Sequence, residues 1–353
     1  MIKILLFYNV FVLIINSGAI IFLYRVKEVR PVERTILLGI VLSCIMFLGA
    51  FFFPVDGFGL IQLFAWGTFL HMPLFFTAAG ILLFREIKWF AYGLLFLTLL
   101  ILGVAVEAFL IEPQKLEVTH TTLYSSKLDQ AVTVALLADI QTDNPGPYEE
   151  QVLALTAAEN PDLVLLAGDY LQIYDLEDYQ SAVLIFQNIF EQAQLDPPLG
   201  IFAVRGDAEY NDWTAIFQDF GVGTFESMDS LDLGTLTLTG ISLLDSENPE
   251  MFIQGSEKYH IVFGHNPNYS LGEIDADLLL AGHTHGGQFQ LPVIGPLLTI
   301  SLVPRDWASG LTEISPEQYL LVSRGIGMER GYAPRMRFLC RPELVILHLE
   351  PGP

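Results

Sequence analysis

Hydrophobic residues are spread along this chain in two different ways. Up to residue 111 they form four long runs, at residues 4–24, 35–53, 59–84 and 91–111, each bounded by charge or by Pro and Gly. A helix needs roughly 20 apolar residues to cross a bilayer, so four membrane-spanning helices are predicted. From residue 131 the runs shorten and become rich in Val, Ile and Leu, at 132–138, 163–167, 201–204, 235–240, 260–263, 278–281, 319–322 and 344–349. These read as buried strands. Helical patterns at 148–159 and 179–194 separate the first three of them, which predicts an α/β domain with a largely parallel sheet covered on its faces. Residues 112–130 show neither pattern and read as a linker, giving a transmembrane region 1–111, a linker 112–130 and a domain 131–353.

Charge divides the chain at the same place. Of 17 Lys and Arg, 7 precede residue 112, against 5 of the 40 Asp and Glu, so the second part carries 10 basic and 35 acidic residues. Such an excess repels nucleic acid and anionic headgroups at long range, and no nucleic-acid partner is expected. In the first part the few charges orient the helices. Arg25, Lys27, Arg30 and Arg34 fall in the first loop, Arg85 and Lys88 in the third, and Asp56 alone in the second, so the positive-inside rule puts the first and third loops in the cytoplasm. The acidic domain is then expected on the periplasmic or extracellular side. The first apolar run is too long for a signal peptide, has only Lys3 ahead of it and lacks a small-residue cleavage site, so it reads as a retained anchor. Asn9, Asn16, His71 and Glu107 within the spans read as polar groups satisfied by neighbouring helices rather than as a transport path. Cys44 and Cys340 suggest neither a disulfide framework nor a zinc site.

The chemistry lies in the residues just past the strands. Asp139-Ile-Gln141 stands after the first, Gly168-Asp169 after the second and Gly206-Asp207-Ala208-Glu209 after the third; Gly264-His265 and Gly282-His283-Thr284-His285-Gly286-Gly287 stand after two later ones. Carboxyl ends of strands form the ligand crevice of α/β sheets, so five segments would deliver three aspartates and three histidines to one place. Singly, Gly-Asp after a strand is a turn or a cap. Two imidazoles one residue apart in a glycine-rich turn are a stronger sign of a metal ligand pair. His120, His260 and His348 read as surface or core residues.

In the order and spacing of these motifs, the sequence resembles the calcineurin-like metallophosphoesterases, in particular their membrane-associated bacterial branch, over roughly residues 132–349. The closing stretch from Ser323-Arg-Gly-Ile-Gly327 to Cys340-Arg-Pro-Glu343 resembles that branch too. The resemblance implies a four-layered αββα sandwich, two divalent ions (Mn2+, Mg2+, Fe2+ or Zn2+) and hydrolysis of phosphomonoester, phosphodiester or pyrophosphate bonds. It assigns Asp139, Asp169 and His285 to the first ion, with Asp169 shared, and His265 and His283 to the second. Three positions depart from the family pattern. Gln141 stands where a ligand His is usual and Asp207 where a ligand Asn is usual, and both still offer an oxygen. Ala208 stands where a His assists the leaving group and can do nothing polar. Glu209 adjoins it, but successive side chains rarely point the same way. The expected function is a membrane-anchored phosphoesterase acting on a phosphorylated small molecule or lipid headgroup. The alternative is a catalytically weakened relative that binds metal or phosphate as a sensor or partner-binding module.

Overall fold

The computed structural model describes residues 2–26 and 28–352; Lys27, one of the first-loop charges, lies outside them. The helical unit contains four helices long and apolar enough to cross a membrane: α1 (Ile2–Arg25), α2 (Pro31–Ala50), α3 (Gly57–Leu83) and α4 (Lys88–Gln114). Phe7, Leu48, Trp89 and Leu99 stand exposed on them, the kind of surface that hydrocarbon covers and water does not. The third helix widens into a π-turn at Gly67–His71 just before Pro73, whose missing N–H cannot close the ordinary helical bond. The polar residues there serve one another. His71 Nε2 lies 2.8 Å from Asn9 Oδ1, and Asn16 Nδ2 donates to the His71 carbonyl at 3.0 Å.

The second unit is built on two six-stranded sheets. Its main strands are β1 (Glu117–Ser125), β2 (Val132–Leu137), β3 (Leu163–Leu166), β4 (Ile201–Val204), β5 (Gly223–Phe225), β6 (Asp229–Asp232), β7 (Leu236–Gly240), β8 (Tyr259–Phe263), β9 (Leu278–Ala281), β10 (Gly310–Ser315), β11 (Gln318–Val322) and β12 (Glu343–Pro351). The first sheet runs β1-β12-β2-β3-β4-β5 and the second β10-β11-β9-β8-β7-β6. In each sheet the strands that lead to the predicted site are parallel, β2 to β3 to β4 and β8 to β9, so their carboxyl ends share an edge.

Strand alternation builds three cores. Val134, Leu136, Leu163 and Leu165 of the first sheet meet Leu238, Ile261, Phe263 and Leu280 of the second, filling the space between them. The intervening residues, Ala135, Leu137, Val164 and Leu166, face helices α5 (Pro147–Ala158) and α6 (Leu176–Ala193). With both faces covered, these strands read as unbroken apolar runs. Asp175 caps α6 by accepting from the backbone N–H of Glu177 and Asp178, and Tyr179, Ala182, Phe186, Ile189 and Phe190 supply its buried stripe. The outer face of the second sheet, with Val262, Leu279, Leu320 and Val322, is covered more thinly, by Tyr269, Met251, Ile253 and short helical turns at Leu243–Glu247 and Pro267–Leu271.

Residues 112–130 are not a plain linker. They contain β1, paired in parallel with β12 from Glu117↔Glu343 to Ser125↔Pro351. The strand is half exposed and carries Thr and His on its open face, so no continuous apolar run marks it. His120 and His348 consequently stack on one another, ring centroids 5.4 Å apart, and His260 is buried against the Thr239 hydroxyl at 2.7 Å.

Candidate metal centre

Each predicted ligand sits on the turn that ends a strand, and the turns are tight. Asp139, Gln141, Asp169, His283 and His285 all have left-handed backbone, with φ of 52°, 41°, 56°, 69° and 50°. Such a conformation costs a side-chain-bearing residue roughly 1–2 kcal/mol. Five instances just past strands of two different sheets are what a functional constraint, rather than local preference, imposes. Glycine is needed where two of these turns touch: a Cβ on Gly206 would collide with Asp169 Oδ1, and one on Gly168 would lie 2.6 Å from the Gly206 nitrogen.

The turns gather six side chains into two triads. Ligand atoms of Asp139, Asp169 and His285 lie within 4.8 Å of one another, and so do those of Asp207, His265 and His283. The triads adjoin, because His265 Nε2 is 3.6 Å from Asp169 Oδ2 and 3.7 Å from Asp207 Oδ1. All are buried except Asp207, whose side chain is 47 % exposed, and His283 at 12 %.

Backbone groups choose which nitrogen each imidazole presents. His265 Nδ1 lies 2.9 Å from the Ala167 carbonyl and donates to it, leaving the Nε2 lone pair for the cluster. His283 Nε2 lies 3.0 Å from the Ile300 carbonyl and donates to it, so Nδ1, 3.3 Å from His265 Nε2, carries the lone pair. The buried donor set also contains oxygens with no partner: Asp139 Oδ2 and Gln141 Oε1 are both buried and unbonded. Orphaned buried oxygens are rare and costly, and a cation satisfies them. Hard carboxylate oxygens together with neutral imidazole nitrogens suit Mn2+, Fe2+ or Zn2+, with Mg2+ less favoured by the nitrogens.

Protonation follows from the same crowding. Burial pushes Asp139 up to about 6 and Asp169 well above the carboxylate range, with the His265 charge opposing both shifts. Burial disfavours charge on His265, yet Asp169, Asp207 and Asp139 outweigh it and hold its pKa well above the usual value. Burial likewise lowers His283 to about 4 and pushes His285 well down, the latter helped by the nearby Arg337 guanidinium. In the absence of an ion, a proton on His265 is the counter-charge among three aspartates, and a divalent ion takes over that task.

Two neighbours, Glu329 and Gln172, were not legible in the sequence as parts of this centre. Glu329 accepts from Gln141 Nε2 at 3.1 Å and from Gln172 Nε2 at 2.6 Å. Gln141 Nε2 also donates to Asp169 Oδ2 at 3.2 Å, so two carboxylates engage the NH2 of the amide while its Oε1 has no partner. Glu209 turns from the gap at Ala208 and accepts from the backbone N–H of Gly206 at 2.8 Å, Asp169 at 3.1 Å and Tyr170. Its carboxylate ties the third turn to the second. Removing it in Glu209→Ala strands three buried donors, which should destabilise the protein by about 3 kcal/mol or more. A melting temperature of the purified full chain unchanged from wild type would refute this.

Residues 132–287, which contain both triads and all five turns, match the family model described as calcineurin-like phosphoesterase. Over those residues the chain is similar to the calcineurin-like phosphoesterases. Similar curated proteins agree. The uncharacterized metallophosphoesterase YkuE of Bacillus subtilis is 25% identical over 260 residues, 68% of this chain and 87% of that protein. An uncharacterized metallophosphoesterase of Aquifex aeolicus is 27% identical over 262 residues, 68% of this chain and 94% of its own. The protein named phosphodiesterase YaeI of Escherichia coli is 27% identical over 244 residues, covering 61% of this chain and 81% of its own. Within this matched region, Ala208 donates its backbone N–H to Asp169 Oδ1 at 2.9 Å, and its methyl group leaves the position beside the cluster without a titratable side chain.

Proposed function

We propose that the protein is a membrane-anchored phosphoesterase holding two divalent ions, one through Asp139, Asp169, His285 and the Gln141 carbonyl, the other through Asp207, His265 and His283. The observation that carries this reading is the convergence of two adjoining triads, each within 4.8 Å, on turns whose strained backbone aims them. Ions bound there supply charge neutralisation at phosphoryl oxygens and acidify water. The chain's own groups do the rest of the positioning. Ala167 and Ile300 carbonyls fix the two imidazole tautomers, and the backbone N–H groups of Ala208 and His283 hold Asp169 and Asp139 in place.

No side chain at position 208 can hand a proton to the departing oxygen. The preferred substrate is therefore one whose leaving group needs little help, a phosphoanhydride or an ester of an acidic alcohol, and among membrane molecules a lipid whose headgroup is joined through a pyrophosphate meets that requirement. By the charges of the first and third loops, the phosphoesterase domain faces the periplasm or exterior. Cysteines introduced into the domain should be labelled by a membrane-impermeant thiol reagent on intact cells; labelling only after lysis would overturn the orientation. For the centre itself, the full chain purified with Mn2+ should retain two ions and hydrolyse a chromogenic phosphodiester, with activity lost on chelation and regained on adding metal. Elemental analysis finding no divalent ion would reject it.

A further inference from the structure

Between the last residues of the histidine turn and Arg305 lies a stretch unlike the rest of the domain. From Gly286 through Pro304 it has no charged residue, although residues 112–353 hold 35 acidic and 10 basic ones. It folds as a small antiparallel hairpin, Gln290–Leu291 with Gly295–Pro296, followed by a loop. Its apolar side chains point out: Val293, Ile294, Leu297, Leu298, Ile300 and Leu302 are exposed, Val293 fully, at 107%. The base is fixed, since Asn268 Oδ1 accepts from both the Ser301 hydroxyl and the Leu302 N–H at 2.7 Å. Val293 at the hairpin tip has φ 71°, and Ile300 has φ 49°. A β-branched residue fits the left-handed region worst of all, and a fully exposed one gains nothing from packing. Neither backbone preference nor the core accounts for Val at that tip. A hydrocarbon environment does.

We infer that this apolar hairpin and loop insert into the surface of the bilayer that holds the four helices, and that the centre beside it acts on a membrane-resident amphiphile. Only Lys115 and Leu116 separate the end of α4 from β1, so the domain stays within reach of that bilayer. A net negative domain is repelled by anionic headgroups, which leaves apolar insertion as its means of contact. Arg305 and Trp307 come next after the loop, residue types that sit at the headgroup level. The loop also touches the chemistry: its Ile300 carbonyl is the group that frees His283 Nδ1. Seating the loop in lipid thus steadies a ligand of the second ion at the place where a headgroup arrives. This inference rests on the proposed phosphoesterase reading for its substrate, though not for the insertion.

The test uses the full chain with Cys44→Ser, in nanodiscs of phosphatidylethanolamine and phosphatidylglycerol. An environment-sensitive fluorophore is attached at Val293→Cys or, as a second variant, Ile294→Cys, with exposed Leu184→Cys on α6 as reference; Cys340 is buried. Doxyl lipids should quench the loop probes at least threefold more strongly than the reference. Equal quenching overturns the insertion, whatever the activity. In the same discs, Ile294→Asp should lower hydrolysis of embedded hexadecyl 4-nitrophenyl phosphate at least tenfold relative to soluble bis(4-nitrophenyl) phosphate. Equal change of both rates overturns the amphiphile assignment. Strong quenching with no hydrolysis of either ester keeps the insertion and rejects the phosphoesterase reading.

Discussion

Asp169→Asn should lower phosphodiester hydrolysis by about 10³-fold and strip at least one ion from the protein. Asp169 belongs to the first triad, yet its Oδ2 stands 3.6 Å from His265 Nε2 of the second, and its Oδ1 accepts the Ala208 N–H. The Asn side chain keeps that shape and removes the charge, so the loss falls on cation binding and not on packing. Lewis-acid stabilisation of a transition state is worth several kcal/mol, and each 1.4 kcal/mol is a factor of about ten in rate. The measurement pairs kcat/KM on the chromogenic diester with elemental analysis. A variant that keeps two ions and a rate within tenfold of wild type would remove Asp169 from the centre.

The second large effect is a gain. Ala208→His should accelerate hydrolysis of alkyl phosphodiesters by about 10²-fold or more, the usual worth of a positioned general acid, while changing aryl esters and anhydrides less than tenfold. Wild-type rates should consequently fall steeply as the leaving group becomes more basic, and the variant should flatten that dependence. Parallel slopes would show that the missing imidazole is not what limits this protein. A chain silent toward every leaving group until both Gln141→His and Ala208→His are introduced would instead establish a binding or sensing role. Glu209 does not blur this comparison, because its carboxylate is engaged by three backbone donors.

Much of the α/β architecture was legible because β2, β3, β4, β8 and β9 are covered on both faces and so read as unbroken apolar runs. Strands with one open side were not. β1 alternates Thr and His with Val and Leu, and β6 is written Asp-Ser-Leu-Asp, a pattern that sequence periodicity assigns to a loop. The aspartates and histidines could be placed together because strand ends mark them. Glu329 and Gln172 could not, since they reach the cluster from irregular segments where no periodicity says which way a side chain points. The Gln141 amide is likewise engaged by two carboxylates distant in sequence. The exposed residues 293–302 resembled core in composition, and only their exposure separates the two.

The strand order of the first sheet sets a timetable for biosynthesis. β12, made after every other strand described in the two sheets, lies between β1 and β2, which leave the ribosome first among them. Until Glu343–Pro351 is released, β1 has no neighbour on its inner side and β2 shows an open edge. The nascent domain must therefore wait as a half-zipped sheet, and a chain truncated before Glu343 would never close.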